Sequence, residues 1–435
     1  MHRYLLQLLA VVLAVSVAGC SATSDNGSDS GKASPKPSAS PSPSNVNEAI
    51  EPTFFGVHDH DPVGDTAAGW PDAPVGSLRA WDAGVTWRDL EPSPGVFNFS
   101  RLDAMVDTAE SHDSDVLLVL GQTPAFHAKN PNATAFYGAG ASSAPKLKAW
   151  KTYVRKVAKR YAGRPVILQV WNEANVSGFW SAGPQEMATL TKAAYDVLAN
   201  IKPRPTLVSP ALVTRLATQQ KWLNDFYAIT VDGQPIANYV DVVSLQLYPL
   251  PDGTPASSME LLSQMRKALT SHGVGVDKPI WNTEINYGLT GKPVDPAPKA
   301  EQIMNVVATY LLNAANGISR VYWYGWDQQQ IVNTLLVQPD LATRTPAGDA
   351  FVRMRKWMLG AKVTSCKTDA NGTYACTLEG PKGTSTVFWN PQGKTSVTVP
   401  DGATTAQEID KAKQPVTAGS PLTVGRIPVM VSSAT

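Results

Sequence analysis

Val166-Ile167-Leu168-Gln169-Val170-Trp171-Asn172-Glu173 is a run of mostly apolar and β-branched residues that stops abruptly at an amide and a carboxylate. Near-continuous apolarity predicts a parallel strand covered on both faces, because a strand with one wet face alternates instead. The same texture recurs along the chain. It predicts strands over 54–58, 77–81 and 116–121 upstream, and over 206–210, 242–247, 280–284 and 321–324 downstream. Helical periods lie between them. Trp150, Tyr153, Val154, Val157, Ala158 and Tyr161 form one apolar stripe, with Pro145 ahead of it and Gly163 behind. Leu102, Met105, Val106 and Ala109 form a second, for which Ser100 is the expected N-cap. Met304, Val307, Ala308, Leu311 and Leu312 form a third before Gly317. Eight strands alternating with helices over roughly 300 residues predict the α/β class, as a (β/α)8 TIM barrel spanning 51–359. A doubly wound open sheet is the alternative, but no G-x-G-x-x-G or Walker sequence follows the first strand.

Both flanks of the barrel read differently. After Gly360, short alternating segments such as 384–389 and 395–399 are separated by Gly, Pro, Asn and Asp, which predicts a small antiparallel β-sandwich over 360–435. At the other end, Met1-His2-Arg3 and the apolar run from Tyr4 lead to Val17-Ala18-Gly19-Cys20. Small residues before that cysteine resemble the lipobox of bacterial lipoproteins, which implies a signal peptide over 1–19 and acylation of Cys20. Residues 20–50 then form a Ser/Pro-rich tether, too poor in apolar side chains to offset its ordering entropy. The expected location is extracytoplasmic, with the folded part held by its lipid anchor at the outer face of the bacterial cell membrane. Cys366 and Cys376, on either side of a Thr-Asp-Ala-Asn-Gly stretch, read as a disulfide across a hairpin in an exported protein. A net charge of +1 argues against nucleic acid as a partner and suits an uncharged substrate. A monomer is expected.

In such a barrel, reactive side chains stand where strands end and loops begin. Strand four ends in Trp171-Asn172-Glu173 and strand seven in Trp281-Asn282-Thr283-Glu284, so two carboxylates can face each other over the mouth. Hydrolysis of a glycosidic bond needs such a pair: one group protonates the departing oxygen while the other attacks the anomeric carbon. Two other chemistries fail on residue count. His58-Asp59-His60 after strand one resembles the metal motif of the amidohydrolases, but the remaining histidines after residue 60 are His112, His127 and His272, none on strand five or six. No G-x-S-x-G elbow supports a Ser-His-Asp hydrolase. No metal and no cofactor are expected.

Trp171-Asn172-Glu173 with Glu284 resembles glycoside hydrolase clan A, the 4/7 superfamily, in its family 39 and family 5 flavour. The stretch WRDLEPSPGVFNF over 87–99, Thr123-Pro124 after strand three and the aromatic run 322–326 on strand eight extend the likeness across the barrel. The resemblance implies Glu173 as acid/base and Glu284 as nucleophile of a retaining enzyme that cleaves a β-linked oligo- or polysaccharide. It implies that Asn172 binds the sugar 2-hydroxyl, that Arg79 keeps the nucleophile ionised, and that Tyr248 donates to the same carboxylate. Trp323 or Trp326 would floor the subsite where cleavage occurs. His58 is expected to line the cleft, and Phe126 stands after strand three where these enzymes commonly carry tryptophan. A catalytically silent carbohydrate-binding or envelope-scaffold lipoprotein is the alternative reading of the same barrel.

Overall fold

The computed structural model describes residues 48–64 and 69–433; the expected signal peptide, Cys20 and the expected tether up to residue 47 lie outside them. Eight parallel strands form the barrel: Phe55–His58, Ser77–Ala80, Asp115–Leu120, Val166–Val170, Leu207–Val208, Val243–Gln246, Ile280–Ile285 and Ile318–Tyr324. Each pairs with its sequence neighbour, and the first also pairs with the eighth, Phe55 opposite Val321 and His58 opposite Tyr324. The fifth strand is the short one. Pro203, Pro205 and Pro210 flank it and remove ladder donors, so bridges Val208–Val242 and Val213–Gln246 complete the ring there.

Strand pleating sorts the side chains into two compartments. Val116, Leu118 and Leu120 point outward into the main core, which the helices cover, whereas Leu117 packs inside the ring with Val208, Val242, Trp281 and Tyr322. Arg320 and Asp115 meet near the amino ends of the strands, Nη1 to Oδ2 at 2.7 Å, with the guanidinium 4.3 Å from the centre of the Trp281 ring. Towards the carboxyl ends the interior turns polar and hydrogen-bonded. Gln169 Nε2 donates to Ser244 Oγ at 2.8 Å, and Ser244 Oγ lies 2.6 Å from Thr283 Oγ1. A buried polar layer of this kind is tolerated because each member is satisfied by another.

The helical stripes lie against that ring. In helix Leu147–Arg160 the buried residues are Trp150, Tyr153, Val154, Val157 and Ala158, and in helix Lys299–Ala315 they include Met304, Val307, Ala308 and Leu311. One terminus differs from expectation. Helix Ser100–Ser111 begins at Ser100 itself, and Asn98 Oδ1 accepts from the Ser100 amide at 3.0 Å, doing the work assigned above to the serine. Beyond helix Pro346–Met358 the chain builds antiparallel sheets of six and two strands. Their inner face contributes Val363, Cys376, Leu378, Val387 and Trp389 to the same continuous core as the barrel helices. Cys366 and Cys376 sit opposite each other on adjacent strands and are joined by a disulfide. No helix among the described residues is long and apolar enough to cross a membrane.

Candidate active site

The end of the fourth strand is bent out of ordinary geometry. Trp171 and Glu173 both have positive φ, +61° and +43°, a left-handed conformation that costs a residue with a Cβ about 1 kcal/mol or more. The surroundings impose it. The Trp171 amide donates to Leu120 O at 2.8 Å, its carbonyl accepts from Ala211 at 3.2 Å, and its indole nitrogen donates to Phe179 O at 2.8 Å. Trp171 thereby turns outward into the core, and Asn172 and Glu173 are delivered to the mouth of the ring.

Arg79 organises the group. From the second strand its Nη1 donates to Glu284 Oε1, its Nη2 to Asn172 Oδ1 at 2.7 Å, and its Nε to Gln169 Oε1 at 3.0 Å. Gln246 Nε2 donates to the same Asn172 oxygen at 3.1 Å, so the amide is held in one orientation with its Nδ2 left as a donor. Tyr248 Oη donates to Glu284 Oε2 at 3.0 Å. Both oxygens of Glu284 are therefore engaged on a buried side chain.

The two carboxylates end in opposite electrostatic states. Glu173 is pushed up to about 8, first by burial and then by the negative charge of Glu284, so it is protonated at neutral pH. Burial acts the same way on Glu284, but Arg79 and then His58 overcome it and hold its carboxyl below the usual range. A neutral acid facing an ionised carboxylate is the division of labour that glycosidic cleavage requires.

A second polar group backs Glu284. His58, fully buried, places Nε2 2.7 Å from Asp82 Oδ1 and Nδ1 3.8 Å from Glu284 Oε1. His60 Nδ1 lies 2.6 Å from Asp327 Oδ1, and its Nε2 is 3.6 Å from Asp82 Oδ1. Tyr137 Oη donates to Asp82 Oδ2 at 3.1 Å. Ligand atoms of His58, His60 and Asp82 lie within 4.8 Å of one another, a spacing open to a metal ion. His58 Nε2, however, is already bonded to Asp82, and 2.7 Å is shorter than two ligands about 2.0 Å from one ion keep at a tetrahedral angle. These residues are a hydrogen-bonded network, not a ligand set.

Several residues named from the sequence are placed elsewhere. Trp323 does not floor the cleft: on the eighth strand it points outward, fully buried, against Tyr287 and Tyr310. Trp326 is buried too, against Phe351. The period of two puts Tyr322 and Tyr324 inside the ring, and it is Tyr324 that meets His58, His60 and Tyr248 at the mouth. His58 does not line the cleft surface; it lies behind Glu284. Phe126 packs on His127 at 4.6 Å, and among the described residues none of its ring contacts reaches the carboxylates. The loop aromatic that does reach the site is Tyr137. Asp82, Asp327 and Gln246 were missed. The signal for Asp82 was available, since it follows the second strand by two positions, as Glu173 follows the fourth by three.

The barrel carries paired carboxylates at the carboxyl ends of strands four and seven, the arrangement of a glycosidase. Comparison gives the finer placement. Residues 140–351 match the family model of the glycosyl hydrolase catalytic core. The fold is similar to that of a family 39 glycoside hydrolase from Bacteroides cellulosilyticus WH2, at 17% identity and a TM-score of 0.67 over 90% of this chain and 82% of that one. It is also similar to the family 39 enzyme of Xanthomonas axonopodis pv. citri (14%, 0.60, 90% and 97%) and to a family 30 endoxylanase from Clostridium papyrosolvens C71 (15%, 0.60, 89% and 98%). A search of the curated proteins returns no match.

Proposed function

We propose that this protein is a retaining glycosidase that cleaves a β-linked oligo- or polysaccharide by double displacement. The observation that carries the reading is the contrast between its two rim carboxyls: Glu173 kept neutral by burial, Glu284 kept ionised by Arg79 and His58. Glu284 attacks the anomeric carbon as Glu173 gives its proton to the departing oxygen; the glycosidic bond breaks and a glycosyl ester forms on Glu284. Glu173, now a carboxylate, takes a proton from water, which hydrolyses the ester and restores both groups. The Nδ2 of Asn172, whose Oδ1 is held by Arg79 and Gln246, donates to the sugar 2-hydroxyl in this reading.

The lipobox-like end adds the setting, a lipid-anchored protein on the outer face of the cell membrane; intact-mass spectrometry of the mature N-terminus detects or rejects acylation of Cys20. The mechanism is tested with a 2-fluoro glycoside and peptide mapping. Label on Glu284, no turnover by Glu284→Gln, and residual cleavage of activated aryl glycosides by Glu173→Ala are the expected results. Oligosaccharide binding with neither label nor cleavage overturns the enzyme reading in favour of a binding or scaffold lipoprotein.

A further inference from the structure

Asp82, His58 and Glu284 stand in a row. His58 is the middle member, its Nε2 2.7 Å from Asp82 Oδ1 and its Nδ1 3.8 Å from Glu284 Oε1. Nδ1 has no hydrogen-bond partner although it is buried, and the acceptor it faces is the carboxylate that Arg79 and Tyr248 also hold. A buried nitrogen unsatisfied in the resting geometry is costly, and site hydrogen bonds of this kind often tighten only when substrate is bound. Other charged or titratable groups surround the row. His60 faces Asp82 at 3.6 Å and is itself anchored by Asp327; Asp59 accepts from the Asp61 amide at 2.9 Å while its other oxygen is unpaired; Tyr137 donates to Asp82; and the Tyr324 ring stands edge-on to both histidines.

We infer that Asp82 and His58 are a positioning pair for Glu284: Asp82 fixes the imidazole and its charge, and His58 turns an N–H toward the nucleophile, steadying its ionised form from behind while Arg79 does so from the side. The pair touches no substrate, since His58 is sealed beneath the cleft. It deepens the glycosidase reading and rests on it. The local balance fits. Asp82 is held well below the usual carboxylate range against burial by His60 and His58, while His58 is raised by Asp82 despite burial. The one carboxyl of the group that takes up a proton instead is Asp59, driven to about 8 by burial and then by Asp327.

The test needs no turnover, so it fails separately from the glycosidase reading. In protein carrying 13C-labelled histidine, the His58 ring is assigned as the signal lost in His58→Asn, which separates it from His60 on the same Tyr324 ring, and titrated by NMR. Removing the charge in Glu284→Gln is expected to lower the His58 midpoint by about one pH unit, and Asp82→Asn by as much or more. A midpoint unmoved in Glu284→Gln overturns the pairing. So does displacement of the His58–Asp82 contact by micromolar zinc, which would make the group a metal site. In the wild-type background, His58→Asn is expected to raise the acidic limb of kcat/KM by about one unit, a shift that a merely structural role would not produce.

Discussion

Arg79 and Glu284 meet as a buried ion pair across the interior of the barrel although 205 residues separate them in the chain. The second and seventh strands are not neighbours, so only a closed ring brings them within reach. Removing one partner of such a pair leaves an uncompensated buried charge, which costs about 3–5 kcal/mol. Arg79→Leu is therefore expected to lower unfolding free energy by an amount of that order at neutral pH, measured by denaturant titration. It should also lower kcat/KM more than about 100-fold, because Glu284 then protonates within the working range. Unchanged stability would show that the pair is not held in solution.

The two carboxyls fix the sign of the pH dependence. The proposed cleavage needs Glu284 ionised and Glu173 protonated. As pH falls, activity is lost through the pKa of Glu284, which lies below its ordinary value; as pH rises, it is lost as Glu173 gives up its proton at about 8. A bell-shaped profile of kcat/KM on an unactivated substrate is expected, with a basic limb about 8 belonging to the interacting pair. With an aryl glycoside whose leaving group needs no proton, that basic limb should flatten.

Tyr248 donates to the oxygen of Glu284 that Arg79 does not hold. Its phenol, raised well above 10 first by burial and then by the Glu284 charge, stays protonated and remains a donor. Tyr248→Phe keeps the ring and loses the hydrogen bond. About 1.5–3 kcal/mol of interaction with a charged group corresponds to roughly a 10- to 150-fold fall in kcat, read by steady-state kinetics, with the fold unchanged by circular dichroism.

The disulfide lies away from this chemistry, in the sheet that packs on helix Lys299–Ala315. It closes a loop with a separation of 10 residues, for which chain entropy gives about 2–3 kcal/mol. Cys366→Ser with Cys376→Ser should lower the melting temperature by several degrees and leave kcat/KM unchanged well below it.

The strand rhythm, the helical stripes and both rim glutamates were legible because each is a local pattern. Val166 to Glu173 announces its strand and its terminal carboxylate within eight residues, and the same holds for Ile280 to Glu284. Tyr324 was not legible against Trp323 and Trp326. Four aromatics in the five residues 322–326 all satisfy a strand and a sugar platform, and which of them faces inward depends on the pairing of the eighth strand with the first. Likewise the fifth strand shrank because its prolines deny the ladder its donors, although its apolar texture matched the others.

The amino-acid sequence by itself determined which segments are strands and helices, the alternation that closes them into a ring, and the two acidic residues at its rim, since these follow from periodicity and local chemistry. The tertiary structure alone supplied the physical reason that Glu173 keeps its proton and Glu284 does not, and decided that His58 stands behind Glu284 rather than in the cleft. Those outcomes depend on burial and on charges from strands one, two and seven converging on a single point, and no stretch of chain encodes a distance to another stretch.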